Sequence, residues 1–277
     1  MYCVSCVLES HSHNLSESAF SILMGNDNLS QVRKVDSRYL ELITRADKKY
    51  FATADEFYLH AHAVASIYLM ALNIASFGHF TWANGTQQSP VYGIEHEDNS
   101  RSEIVFLPEI KYPLDKVDIS ENEVKVALKL AGALLKEEDQ SIRMEYIKGI
   151  IHLGTIFGDV DFYKESFSNF YRLFEYLVTK RILNKKKLVN ERKELRSIIL
   201  GELGNESAEE FDNLYRLRSE QVMHAQKKQV KILLDDLLKM KCMLDCILFR
   251  YYSKIADDWM LQHHKEYSTE ILFMDNL

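Results

Sequence analysis

An arginine and a histidine six positions apart, Arg218 and His224, are the side chains of this sequence best suited to chemistry. Arginine stays cationic at any workable pH, while histidine takes or gives a proton near neutrality. The two together suit reaction at a phosphodiester. The imidazole would act as general acid or base, and the guanidinium would meet charge developing on the phosphoryl oxygens. Arg218 can contact two such oxygens at once. Ser219, next in sequence, offers a hydroxyl to another, whereas Glu220 is read as solvated. On an ideal helix, six positions turn one side chain about 120° from the other. The pair therefore converges on one phosphate if the helix ends or kinks near His224, or if each partner of a dimer supplies one group. The composite arrangement is preferred, because it explains how a two-residue motif suffices. The alternative is structural: Arg218 pairs with an acidic neighbour such as Glu175 or Asp212, and His224 sits at a helix C-terminus favoured by the dipole.

These residues fall in a segment, 211–224, whose Phe211, Leu214, Tyr215, Leu217, Val222 and Met223 recur at helical spacing. Asn205 or Ser207 would cap that helix. Others should surround it. Ser120-Glu121-Asn122-Glu123 is a capping box that opens a helix over 120–136. A second helix is expected over 140–157, with Gly149 and Gly154 admitted for close packing. A strongly amphipathic one follows over 161–183, carrying Phe162, Phe167, Phe170, Tyr171, Phe174, Leu177 and Val178. A shorter helix, 188–203, is stopped by Gly201 and Gly204. A long one runs over 228–264, and its Cys242 and Cys246 read as buried core thiols.

The texture before residue 119 is different. An alanine-rich helix is expected over 53–77, with Glu56 and His60 on its polar surface. Short β-prone runs follow at 79–82, 91–94 and 104–107, with turns at Asn84-Gly85 and 95–102. The first fifty residues read as a possible strand from Cys3 to Leu8 followed by Ser/His/Asn-rich loop. The fold class is thus mainly α: an N-terminal mixed α/β region with a small antiparallel sheet (1–118), then an all-α domain (119–277).

A net charge of -7 argues against wholesale nucleic-acid binding, so any such contact must be a local basic patch. Three prolines and ten glycines disfavour a loop-rich all-β fold. Four cysteines do not make a secreted disulfide framework, and no basic n-region precedes an apolar h-region, so a reducing, cytoplasmic location is expected. No uncharged apolar run reaches the ~18 residues of a membrane span. The motifs of P-loop ATPases, zincins, serine hydrolases and EF-hands are absent. Cys3-x-x-Cys6 with His11-x-His13 offers zinc-type ligands at a spacing that matches no named pattern. These residues read as ordinary terminal residues.

The Arg-x5-His motif, on a helix reading Phe-Asp-Asn-Leu-Tyr-Arg-Leu-Arg, resembles the HEPN superfamily, whose motif is Arg-x(4 to 6)-His. The order of segments is similar too: a Phe/Tyr-rich helix ending in basic residues, an intermediate helix, the motif helix, then a long closing helix. The resemblance covers about 161–252. Ser219 stands where many members carry Asn, Asp or His directly after the arginine, and the spacing is one residue longer than the commonest. The resemblance implies a HEPN-like helical bundle that dimerises with two motif helices across a cleft. It also implies metal-independent endoribonuclease activity without cofactor, with the RNA 2′-hydroxyl as nucleophile and a cyclic phosphate and 5′-hydroxyl as products. Toxins and antiviral-defence effectors are common in the family, sometimes under an antitoxin or other regulatory partner. Other members only bind RNA or proteins. Lys180, Arg181, Lys185, Lys186, Lys187 and Arg192 form the one evident anion-binding patch for RNA, diluted by Glu191 and Glu194. A solvated helix face is the competing reading of such a charge run.

Overall fold

Val4 to Ser10 is a run with no polar/apolar alternation, and every one of its residues is buried, as expected for a strand covered on both faces. It belongs to β1 (Tyr2–Ser10), the centre of an antiparallel sheet. The computed structural model describes residues 1–24, 31–35, 37–83, 91–95, 101–103, 117–154, 156–157, 160–221 and 231–252. Among them the chain is mainly helical, with this sheet near the N-terminus. Contacts divide it into two compact units, 1–138 with 154–160 and 139–153 with 161–277.

In the first unit, β2 (His13–Asn14), α1 (Glu17–Met24), β3 (Gln31–Lys34) and β4 (Tyr39–Ala46) follow β1. Next come α2 (Ala54–Ser76), β5 (Phe80–Trp82), β6 (Val91–Glu95), β7 (Arg101–Glu103), β8 (Val117–Asp118) and α3 (Glu121–Leu134). The sheet order is β3-β4-β1-β6-β7, with β5 also on β1, and the register runs from Tyr2↔Ala46 to Glu9↔Tyr39 between β1 and β4. Short β2 pairs in parallel with β8. Helix α2 starts at Thr53, whose hydroxyl accepts from the Glu56 N–H at 3.1 Å. It is buried without a break from Ala65 to Ser76, because it packs on β1, β5 and α3. Asn73 ties it to the sheet: its amide donates to the carbonyls of Leu69 and Phe80, and its carbonyl accepts from Phe80 N. By length and apolarity α2 alone among the described helices could cross a membrane, and most of that stretch is covered by protein.

Several expectations for this unit change. The segment read as terminal loop holds β2 and α1, and 31–46 supplies two sheet strands. β7 begins at the end of the stretch read as a turn, 95–102, while the 104–107 run and Asn84-Gly85 lie outside the described residues. The capping box forms, with Ser120 N–H donating to Glu123 at 2.7 Å and Glu123 N–H to Ser120 Oγ at 3.2 Å. The helix it opens packs on α1 and α2, so the contact division falls at 138/139 rather than at 118/119.

The second unit contains α4 (Gln140–Leu153), α5 (Tyr163–Tyr176), α6 (Glu191–Leu203), α7 (Asn205–Gln221) and α8 (Leu234–Tyr251). α5 packs on α4 and α8, and α7 on α6 and α8. Gly149 lets α4 and α5 close, since an added Cβ would overlap the Phe170 ring; Ser166 Oγ donates to the Gly149 carbonyl at 2.7 Å. Inside, Asp245 accepts from Lys241 Nζ at 2.6 Å and from Tyr146 OH at 2.7 Å, all three side chains being buried. Burial pushes the Asp245 carboxyl up to about 6 even though the Lys241 charge and both hydrogen bonds pull it down. Cys242 and Cys246 are buried thiols outside any disulfide, as read.

Candidate functional site

Arg218 lies in the last turn of α7, half-buried, with the Phe211 and Leu214 side of that helix packed into the core. Its guanidinium stands 3.3 Å from Glu191 Oε1 at the start of α6 and 3.6 Å from Glu175 Oε2 near the end of α5. Its plane of charge sits 5.0 Å from the centre of the Tyr171 ring, whose hydroxyl donates to Glu191 at 3.2 Å. One cation thus faces two carboxylates and one aromatic ring. Burial and the neighbouring Glu191 raise the Glu175 carboxyl above its ordinary range, while Arg218 opposes the rise. Burial likewise raises the Tyr171 phenol, with Glu191 adding to the effect. Both ion-pair distances exceed the 2.7–2.9 Å of a charge-assisted hydrogen bond. The guanidinium is therefore positioned by its neighbours at ion-pair distance rather than closed in short hydrogen bonds to them.

Of the alternative partners named from the sequence, Glu175 is the one that meets Arg218. Asp212 is engaged elsewhere, bonded at 2.8 Å by both Arg192 Nε and Arg196 Nε. Glu191 and Tyr171 were missed by sequence reasoning. Glu191 reads only as a dilution of the basic run, and Tyr171 as one more aromatic on an apolar face. Their convergence on Arg218 joins three helices, which no local pattern encodes.

Ser219 donates its hydroxyl to the Tyr215 carbonyl at 3.0 Å, the back-bonding common for serine within helices. It lines a groove on α7 whose lining excludes Arg218. Arg218 and Ser219 are therefore not brought to one opening, and only the lone pairs of that hydroxyl remain for a ligand. His224 lies outside the described residues.

The basic patch divides into paired and open members. Lys180 and Arg181 ride on a π-helical segment, Leu177–Ile182, that ends α5; a local π-turn is a feature frequent near functional sites. Arg181 reaches Asp139 at 3.2 Å. Burial works against the Asp139 charge, yet bonds from Ser141 and Tyr176 together with Arg181 hold it at about 2. Lys180 donates to the Lys186 carbonyl at 2.8 Å, and Lys185 pairs with Glu194. Glu194 also accepts the Val189 and Asn190 N–H groups at 2.8 and 3.0 Å, and the Lys185 bond, with these two, holds its carboxyl at about 2. Asn184 takes the left-handed conformation (φ 49) that asparagine tolerates, and Lys185 N–H closes the turn on the Thr179 carbonyl at 2.8 Å. Lys186 and Lys187 stand exposed on this fixed loop, without an ion pair among the described residues.

For the zinc alternative, Cys3 and Cys6 are three apart on a strand and so project to opposite faces. No group of three His, Cys, Asp or Glu side chains with metal-holding geometry occurs among the described residues. The Cys6 thiol is pushed up to about 12 by burial, which disfavours the thiolate that a metal needs. Compared with known proteins, the chain matches no family model, no curated protein and no solved structure.

Proposed function

We propose that this protein is a metal-independent endoribonuclease of the HEPN type. In this reading Arg218 stabilises charge on the phosphorane formed by attack of the RNA 2′-oxygen, and His224 moves the proton. The 2′-hydroxyl loses its proton as its oxygen bonds phosphorus; the 5′-oxygen leaves and is protonated, giving a 2′,3′-cyclic phosphate and a 5′-hydroxyl. The observation that carries the reading is the setting of Arg218: one-fifth exposed (20%), fixed over Tyr171, and held at ion-pair rather than hydrogen-bond distance by Glu175 and Glu191. A guanidinium so held costs little reorganisation when charge develops on a substrate, which is the basis of electrostatic catalysis. The site is completed across a homodimer in this reading, with two α7 helices facing one another, and the biological role is that of a toxin or antiviral-defence effector.

A second reading is favoured by the same contacts: a non-catalytic helical module, binding RNA or protein, in which Arg218 serves only to bind α5 to α6 and α7. The two separate on RNA cleavage in EDTA. The nuclease reading expects cleavage with cyclic-phosphate ends, lost in His224→Ala while the fold survives. Undiminished cleavage by that variant, or none by the wild-type chain, rejects it.

A further inference from the structure

The groove that Ser219 lines has a volume of about 340 Å³, at the lower end of the range for small-ligand sites. Arg192 of α6 forms one wall, and Asp212, Tyr215, Arg216 and Glu220 of α7 form much of the rest. Two residues along an α-helix is about 200° of rotation, so Arg216 and Arg218 point to opposite sides of α7. The groove is thus a separate place from the Arg218 cluster.

Its charges are unevenly committed. Asp212 receives Nε of both Arg192 and Arg196 at 2.8 Å, which spends the carboxylate within the chain and fixes the Arg192 guanidinium at the rim. The terminal nitrogens of Arg192 are not used in that bond. Arg216 is exposed and makes no ion pair among the described residues; even Glu220, one turn on, is not bonded to it. The loop leading into α6 presents Lys186 and Lys187, held in place through Glu194. The groove therefore combines one uncommitted guanidinium with one prefixed guanidinium. Tyr215, Ser219 and Asn213 add neutral hydrogen-bonding groups suited to sugar hydroxyls and base edges.

We propose that this α6/α7 groove is an RNA-holding site distinct from the Arg218 cluster, in which Arg216 and Arg192 grip a backbone phosphate of a single strand. A guanidinium fork matches phosphate geometry. Glu220 at the rim keeps the local charge low, so a diffusely acidic protein gains little there, while a single phosphate seated between two guanidiniums gains most. The proposal rests on RNA being the ligand but not on its being cleaved.

The test is binding of a fluorescein-labelled single-stranded oligoribonucleotide to the full chain in EDTA, by anisotropy, over a series of salt concentrations. Arg216→Gln is expected to weaken binding about tenfold at low salt and to reduce the log–log salt slope by about 0.7, the value for one phosphate contact on a single strand. Arg216→Lys is expected to restore the slope but only part of the affinity. Equal thermal unfolding of wild type and variants confirms that the fold is intact. Unchanged affinity and slope in Arg216→Gln overturn the proposal, as does displacement of the RNA by polyglutamate at equal charge. Wild-type protein that binds through Arg216 yet never cleaves leaves the groove standing and rejects the nuclease reading alone.

Discussion

Two clusters in the helical unit are built from the same three kinds of group, a cation, a carboxylate and a tyrosine, and they are finished in different ways. In one, Lys241, Asp245 and Tyr146 are buried and joined at 2.6 and 2.7 Å. In the other, Arg218 lies 3.3 and 3.6 Å from its two carboxylates, with Tyr171 beneath it and solvent within reach. The first cluster sets one carboxylate against one cation at hydrogen-bond distance, out of reach of solvent. The second has an extra carboxylate and longer separations. Closed, stoichiometric networks hold helices in register; a loosely held guanidinium at a helix end can still change partners. That difference, rather than residue type, is what marks Arg218 as the functional candidate.

The largest effect should come from breaking the closed cluster. Asp245→Ala removes the carboxylate bonded to the buried Lys241 ammonium and to the Tyr146 hydroxyl, at an expected cost of about 3–5 kcal/mol in denaturant unfolding. A loss under about 1 kcal/mol would show that the cluster is more open than its geometry.

A second prediction uses the opposite signs of two carboxyls. Asp245 is raised in the fold to about 6 from an ordinary 3.8, so its stabilising contribution is complete below 3.8 and is lost as pH rises through 6. Asp139 is lowered to about 2, so its contribution is present above 3.8 and is lost as pH falls through 2. Unfolding free energy measured from pH 2 to 7 should therefore carry a declining component between 4 and 6 that Asp245→Asn removes. The same decline in the variant would assign it to other groups. The smallest effect is expected at Ser219, whose proton is committed to the Tyr215 carbonyl: Ser219→Ala should stay within about 0.5 kcal/mol in stability and change RNA cleavage only a few-fold. A hundredfold loss of cleavage would place Ser219 in the chemistry instead.

Much of the second unit was legible because its signals are local. Helical spacing of apolar residues located α5 and α7, and Gly204 ends α6 as expected, whereas Gly201, also read as a stop, lies within the helix. Cys242 and Cys246 are buried as their apolar surroundings suggested. The sheet was harder to read for a physical reason. β1 is buried on both faces and lacks a period, and its partner β4 lies more than thirty residues away, so the pairing is specified by packing that no short window contains. Of the candidate site, Arg218 was singled out by type and by its spacing to His224, and its pairing with Glu175 was among the contacts expected of a structural role. Glu191 and Tyr171 come from the start of α6 and from α5, and only the tertiary arrangement of helices selects them over nearby acids and aromatics. Arg192 was read as one member of a basic patch, and its bond to Asp212, which sets it at the edge of a groove, was not foreseen.

The most direct test of the central claim is the rate of RNA cleavage in EDTA by Arg218→Gln protein. Its unfolding free energy should remain within about 1 kcal/mol of wild type, as expected for a partly exposed ion pair. A loss of roughly 100-fold or more in turnover is expected, the scale seen when one group that stabilises developing charge is removed. Cleavage at the wild-type rate by the folded variant would contradict it, leaving Arg218 as a brace between helices.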